Sequence, residues 1–328
     1  MQSTASSKHQ FLRLVDGEQV RALLSHEDAL QAVREAFVLH SRREGRVFPV
    51  VREALATGGV FGIKSGDVAA QGLLGFKAAG FWPNNRAHGG EPHQATIALF
   101  DPATGRPLCI IDGNAITTMR TGAAGGLALQ ELARRESTRL CVFGTGTQAH
   151  IQVEFALRLC PSLHLVRYVR ADGSRDAKFE ARFAGRCDIE HTQAGSAAVS
   201  ESDIVITATP GRTALFDVAA IRPGTHFNCV GADTKGKREL PEGALQRVRL
   251  FVDDRAQARQ IGEMQWATDA DCMEFGDLLS GKETFHRRAE DVTLFDMTGL
   301  ALQDLTVARV VCERAEATDT GTVVAWPW

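Results

Sequence analysis

Leu140-Cys141-Val142-Phe143-Gly144-Thr145-Gly146-Thr147-Gln148-Ala149-His150 is the stretch that decides the fold. Four apolar residues run into a tight glycine turn, and a helix-compatible segment follows. This is the strand, turn and helix start that hold a dinucleotide pyrophosphate. Gly144 lets the chain turn sharply, and Gly146 lets the backbone approach the phosphates. Ala149 stands where the third glycine of the fingerprint usually sits, and a methyl group is the largest substituent usually tolerated there. The following N–H groups and the positive end of the helix dipole face the anion. Gly144, Thr145, Gly146, Thr147, Gln148 and Ala149 are therefore the expected pyrophosphate ligands. A glycine turn between any strand and helix has the same short pattern, so context must decide.

After the turn, strands and helices alternate. Strand 140–143 leads to helix 147–159, and strand 164–169 to helix 174–185. A third strand at 187–191 and a short helix near 196–201 lead to the apolar strand 203–208. Further strands are expected at 226–230, 249–252 and 293–295. Buried-type strands alternating with helices predict an α/β fold, a Rossmann-type doubly wound parallel sheet over residues 125–296.

Before the turn the pattern differs. Ser25 reads as an N-cap followed by the acids Glu27 and Asp28, and Leu30, Val33 and Phe37 recur at helical spacing up to a stop near Gly45. Short extended segments follow at 47–51, 60–64, 75–79, 96–100 and 107–111, with a turn at Asp101-Pro102-Ala103-Thr104-Gly105. A helix rich in alanine and glycine spans 115–133, and another spans 300–315. Residues 1–124 and 297–328 thus make a second, α+β domain from the N-terminal part and the C-terminal helix. The polar start Met1 to Gln10 reads as a disordered tail. The apolar end Val323 to Trp328 reads as a segment that packs back on this domain or on a partner subunit.

Composition excludes several classes. A net charge of −3 offers no footprint for nucleic acid or an anionic membrane, and no apolar run approaches a membrane span. Seven dispersed cysteines without C-x-x-C spacing read as reduced thiols of a cytoplasmic protein. The ten histidines form no metal-binding arrangement, so no metal is expected. At the end of the second strand, Arg170 and Arg175 suit the 2′-phosphate of NADP, whereas Asp172 keeps NAD open. Thr209, Pro210, Val230 and Gly231 sit at later strand ends and are expected on the nicotinamide side.

The remaining motifs point to a family. They are G-x-K…P-x-N from Gly75 to Asn85, H-Q-A-T-x-x-L-F-D-P-x-T-G from His93, D-G-N-x-I-T-x-x-R-T-x-A-A from Asp112, and the glycine turn itself. Thr207-Ala208-Thr209-Pro210, Val230-Gly231-Ala232-Asp233, Gly236 to Leu240 and Thr298 to Asp304 follow in order. Together they resemble the ornithine cyclodeaminase/mu-crystallin family, which pairs a Rossmann domain with a dimer-forming substrate domain. The resemblance implies that Arg52, Lys77 and Arg120 handle the carboxylate and the amine or imine of a small amino-acid or imino-acid substrate. An arginine grips a planar carboxylate in two places, and a lysine grips it as a point charge. It implies Asp233 as the acid/base group, with Lys77 as its catalytic companion, and His93 as a pocket residue. Arg46 is an alternative to Arg52, and Lys64 is a second candidate near Lys77. Arg120 has no nearby acid in the sequence, which favours an anionic ligand. Each residue has a plainer reading: ion-paired strand cations, a turn aspartate, a structural histidine.

The implied activity is NAD(P)H-dependent reduction of a 2-imino acid, or the reverse amino-acid dehydrogenation, in a homodimer. Ornithine or lysine cyclodeamination with catalytic NAD is the alternative, and an NADP-dependent small-molecule binding protein is the alternative of another class.

Overall fold

The computed structural model describes residues 11–326, so the expectation for Met1 to Gln10 lies outside the described residues. In chain order the elements are β1 (Phe11–Val15), α1 (Gly17–Leu23), α2 (His26–Ser41), β2 (Arg46–Val47), β3 (Val51–Ala54), β4 (Val60–Val68), β5 (Leu73–Phe81), β6 (His93–Phe100), β7 (Pro107–Asp112) and α3 (Gly113–Leu132). Then come β8 (Arg139–Phe143), α4 (Thr147–Leu159), β9 (Leu165–Val169), α5 (Ala177–Phe183), β10 (Asp188–His191), α6 (Gly195–Ser200), β11 (Ile204–Thr207) and β12 (His226–Cys229). The chain closes with β13 (Arg249–Val252), α7 (Arg255–Ile261), β14 (Cys272–Glu274), α8 (Phe275–Leu279), β15 (Thr293–Asp296), α9 (Ala301–Ala317) and β16 (Thr322–Ala325). Among the described residues no helix is long and apolar enough to cross a membrane.

The chain divides into two compact units. One takes in the described residues up to Arg120 and from Leu300 onward, and the other is Thr121–Gly299. The first is built on a mostly antiparallel sheet in the order β16-β1-β7-β6-β5-β4-β2, with β3 also pairing β4. Helix α9 packs on this sheet, and the Leu305 side chain lies where a side chain on Gly75 of β5 would have to go. Leu302, Leu305, Val307 and Val311 of α9 are fully buried. Truncating Leu302 or Leu305 to alanine would cost about 2–5 kcal/mol. Ser25 caps α2 as its sequence predicts, and Asp28 completes a capping box.

The second unit holds a wholly parallel sheet in the order β10-β9-β8-β11-β12-β15-β13-β14. The order reverses between β8 and β11, and open sheets of this kind bind ligands outside the carboxyl ends at such a point. The core beneath is apolar, with Phe143, Val205, Phe227 and Leu294 at its centre.

One helix start differs from the sequence reading, and two other features follow from local packing. Helix α5 starts three residues late because Asp176 caps it, accepting from the N–H groups of Lys178 and Phe179. The glycines of α3 serve packing within the chain: a Cβ on Gly122 would strike Phe155, and one on Gly125 would strike Gln152. The C-terminal end pairs as β16 with β1 of the same unit, one of the two placements expected for it, with all four strand residues exposed; Pro327 and Trp328 lie outside the described residues. Strands β1 and β14 and helices α1, α7 and α8 have no counterpart in the sequence reading.

Candidate active site

Residues directly opposite each other on antiparallel strands share a face. Register therefore sorts the cations of the first unit. Lys64 stands opposite Lys77, and Lys77 opposite Ile97. One row along, Arg52 faces Gly62, Gly62 faces Ala79, and Ala79 faces Ala95. The next row runs Val60, Phe81, His93. Arg52, Lys64, Lys77 and His93 thus belong to one face of the sheet. Arg46 pairs instead with Asp67, whose neighbours Gly66 and Val68 belong to the Lys64 face, so Arg46 is on the opposite side. There its Nε donates to Asp67 Oδ1 at 2.8 Å.

Three residues of α3 spaced by a turn reach the Lys77 face. Asn114 Oδ1 lies 2.8 Å from His93 Nδ1, and Thr117 Oγ1 lies 3.3 Å from Lys77 Nζ. Arg120 Nε donates to Asp304 Oδ1 at 3.1 Å, and its Nη1 to Gln303 Oε1 at 3.3 Å. Lys77 Nζ donates to the same Oδ1 at 2.8 Å and lies 2.7 Å from Oδ2. The Lys77 side chain is 5% exposed and that of Asp304 1%, so this is a buried charge cluster. The acid missing from the sequence around Arg120 is supplied from α9.

Burial lowers the Lys77 pKa to about 7; Asp304 pulls it up, while Arg120 and Lys64 push it down. Burial alone would raise Asp304, but Lys77 and Arg120 hold it below the ordinary carboxylate range. An ammonium poised near neutrality can hold an anion and also exchange a proton. Asp304, Gln303, Thr117 and Asn114 went unread as site residues in the sequence. For Asp304 the signal was available: a lone charge in the otherwise uncharged stretch 300–308. Arg52 is exposed on β3.

The second unit carries the glycine turn. Gly144 follows β8 with φ +96, which only glycine adopts easily, and its N–H donates to the Val169 carbonyl at 2.9 Å. A Cβ there would lie 2.7 Å from the Ala208 oxygen. Gly146 caps α4 without any side-chain acceptor, and a Cβ on it would meet no atom within 4 Å. Thr147 and Gln148 open the helix, and Gln148 Oε1 is buried without a hydrogen-bond partner. An uncapped N-terminus with clear space in front fits an anionic pyrophosphate. Ala149 is fully buried, as its tight position requires. Thr145 Oγ1 donates to Asp176 at 2.7 Å.

Arg170 and Arg175 are both ion-paired, with Asp172 at 2.9 Å and Glu180 at 2.8 Å. A cavity at the β9–β10 side, lined by Arg175, His191 and Thr192 among others, lies beside that loop rather than at the glycine turn.

Beyond β11 and β12, one carboxylate ties two strand ends. Glu239 Oε1 accepts from the N–H and hydroxyl of Thr209, each at 2.7 Å, and Oε2 accepts from the Gly231 N–H at 2.9 Å. Pro210 and Val230 are the neighbours of these two anchors. Asp233, two residues past Gly231, accepts from Lys237 Nζ at 2.6 Å, and its side chain is 43% exposed. Lys237 is the lysine that pairs with Asp233. Beneath Glu239, Glu263 Oε1 accepts the Glu239 N–H at 2.7 Å, and Asp296 Oδ2 accepts from Met264 at 3.0 Å. Burial and the neighbouring carboxylates raise Glu263 to about 8. Burial above all raises Asp296 to about 7.

The sequence profile of the ornithine cyclodeaminase/mu-crystallin family matches residues 12–319. The iminosuccinate reductase of Paracoccus denitrificans is 34% identical over 319 residues, covering 92% of this chain and 96% of that protein. An alanine dehydrogenase of Archaeoglobus fulgidus is 32% identical, over 94% of this chain and 96% of its own length. The solved structure of an archaeal alanine dehydrogenase dimer with bound NAD superposes with a TM-score of 0.90 at 31% identity, covering 97% of this chain and 100% of that one.

Proposed function

This chain belongs to the ornithine cyclodeaminase/mu-crystallin family, and from that premise we propose that it reduces a 2-imino acid to the L-amino acid with a nicotinamide cofactor, or runs the reverse dehydrogenation. The observation that carries the reading is the buried Lys77–Asp304–Arg120 cluster on the face that also bears Arg52, in a chain that has the dinucleotide turn. In the reduction, one hydride and one proton are added across C=N, the hydride to Cα and the proton to nitrogen. A reduced nicotinamide held at the glycine turn would supply the hydride.

The chain's own residues do the rest. Arg120 and Lys77 take the substrate carboxylate, with Arg52 as the third cation. Asp304 orients both buried cations and keeps their charges compensated before substrate arrives. Lys77 also holds or releases a proton near neutral pH. Asp233, paired with Lys237, is the acid/base group that the family resemblance implies. The turn from Gly144 to Ala149 holds the pyrophosphate through backbone N–H groups. Thr209, Pro210, Val230 and Gly231 line the nicotinamide side, fixed by Glu239. His93, held by Asn114, lines the substrate pocket.

The first unit is thus the substrate-binding and dimerising part, and the second the dinucleotide-binding part. Val50, Val51, Leu55 and Phe81 are exposed apolar residues of the first unit that suit a homodimer contact. Arg170 and Arg175 suit NADP. The ion pairs they form with Asp172 and Glu180 would have to yield to a 2′-phosphate, so NADH and NADPH must be compared directly.

A panel of 2-oxo acids with ammonia or methylamine, together with cyclic ketimines, tests the reading, with NADH and NADPH in parallel. One reduced nicotinamide consumed per imine is the expected result. Conversion of ornithine to proline and ammonia with catalytic NAD would replace it with cyclodeamination. No turnover alongside tight binding of an aromatic carboxylate would replace it with a binding protein.

A further inference from the structure

The loop that follows Asp233 is held by two side chains from one helical turn, Glu263–Trp266. Thr234 to Lys237 form a tight turn of their own. The Lys237 N–H donates to the Thr234 carbonyl at 3.1 Å, and Gly236 takes the left-handed φ of +82. The turn folds the chain back, so that Lys237 Nζ reaches Asp233 Oδ1 at 2.6 Å, beside the Thr234 hydroxyl at 3.1 Å. A turn made of Thr-Lys-Gly-Lys has no apolar side chain to anchor it, so hydrogen bonds must fix its shape.

Gln265 and Trp266 supply those bonds. Gln265 Oε1 accepts from the Gly236 N–H at 2.7 Å, and Gln265 Nε2 donates to the Lys237 carbonyl at 3.2 Å. Nε2 also donates to the Gly262 carbonyl at 2.8 Å, which ties the amide to its own helical turn. Trp266 Nε1 donates to the same Lys237 carbonyl at 2.9 Å, so both lone pairs of that oxygen are engaged. The Arg238 guanidinium lies 5.3 Å from the centroid of the Trp266 ring. Trp266 is 49% exposed, so burial does not explain a tryptophan at this place, whereas the bond and the stack do.

We propose that Gln265 and Trp266 are positioning residues for Asp233 and act through Lys237. The inference rests on Asp233 being the acid/base group and adds the device that holds its lysine in place. A proton-transfer group works only in a fixed hydrogen-bond geometry. Lysine is a point charge on a flexible stem, so its main chain is where the protein can aim it. Holding the Lys237 carbonyl on both lone pairs fixes the root from which Nζ reaches Asp233.

The test uses the full chain and the fastest pair of 2-oxo acid and amine from the panel above. Gln265→Leu keeps the bulk and removes the acceptor and the donors. It should lower kcat about tenfold, with substrate KM and dinucleotide dissociation constant within about twofold of wild type. Lys237→Met should cost at least as much. The double variant should be no slower than Lys237→Met alone, because a group that acts through another adds nothing once that one is gone. Trp266→Phe keeps the ring beside Arg238 and leaves Gln265 on the carbonyl, so it should keep most of kcat. Trp266→Ala loses both bond and stack and should fall to about the level of Gln265→Leu. If Gln265→Leu does not fold, Trp266→Ala, a change at an exposed side chain, takes its place in the same cycle.

Losses that multiply in the double variant, or dinucleotide affinity falling as far as kcat, overturn the proposal and make the two side chains structural only. Asp233→Asn separates the proposal from its premise. If that variant loses about 100-fold or more in kcat while Gln265→Leu equals wild type, only the proposal fails. Wild-type kcat in Asp233→Asn removes the acid/base role of Asp233, and the proposal with it. No oxidation of reduced nicotinamide with any imine overturns the imine-reductase reading itself.

Discussion

The two units are equipped to hold anions by opposite means. The sheet of the first unit presents full charges on buried side chains, Lys77 and Arg120, which need Asp304 to be tolerated at all. The turn of the second unit uses backbone N–H groups at a helix start, with no charged side chain capping it. Charges give strength and discrimination, but they must be compensated, so their cost appears as a buried network. Backbone donors carry no such cost, but they need glycine geometry. The first kind of site is therefore expected to be sensitive to chemistry, and the second to shape.

The largest expected effect lies in the charged site. Lys77→Met should lower kcat/KM for the imino acid by about 10³-fold, since under the proposed function it removes both a carboxylate contact and a proton-exchanging group. The dissociation constant of the dinucleotide, read by fluorescence titration, should hardly move. If both fall together, the comparison breaks. Next comes shape. Gly146→Ala places a methyl where no protein atom stands within 4 Å, so the thermal midpoint should hold. Dinucleotide affinity should nevertheless drop by about 10- to 100-fold, because the backbone can no longer approach the anion. Unchanged affinity would mean that the clear space at the turn is not used by the pyrophosphate.

A smaller effect concerns pH. Lys77 is cationic below about pH 7 and neutral above it. Affinity for a carboxylate inhibitor should therefore weaken as pH rises through that value, by at most about tenfold per pH unit. A flat profile in isothermal titration from pH 6 to 9 would show that Lys77 stays charged whatever its burial. The smallest effect is expected at Glu239. Glu239→Gln keeps the shape but turns one acceptor into a donor facing the N–H groups it used to bind. A loss of kcat of about tenfold, with substrate KM nearly unchanged, would mark it as a positioning residue. Equal losses in thermal stability and in every kinetic constant would mark it as structural only.

Much of this architecture is legible from residues alone, and the reasons differ between the units. The parallel sheet announces itself because its strands are buried on both faces, as in Leu140 to Phe143 and Ile204 to Thr207, and because Gly144 and Gly146 punctuate them. The edges of the first sheet are less visible. Strand β16 is short, fully exposed and paired only to β1, so nothing in its local pattern separates it from an apolar tail. Arg46 and Arg52 cannot be told apart by composition; the pairing with Asp67 on one face and with Gly62 on the other requires the register. Asp304 belongs to Lys77 across 227 residues of chain, and no periodicity connects them.

The acids beneath the second unit's loops have a thermodynamic consequence. Glu263 and Asp296 are raised to about 8 and about 7, so at neutral pH each keeps its proton for much of the time while the chain is folded. Once the chain unfolds, both return to ordinary carboxyl values and ionise. Their contribution to stability is complete below pH 4 and drains away as pH rises through 7 and then 8. Unfolding near pH 6 should thus expel protons into the medium, and a calorimeter will register them. Scans at one pH in buffers of different ionisation heat should give different apparent unfolding enthalpies, and the slope counts the protons that this fold has kept out of water.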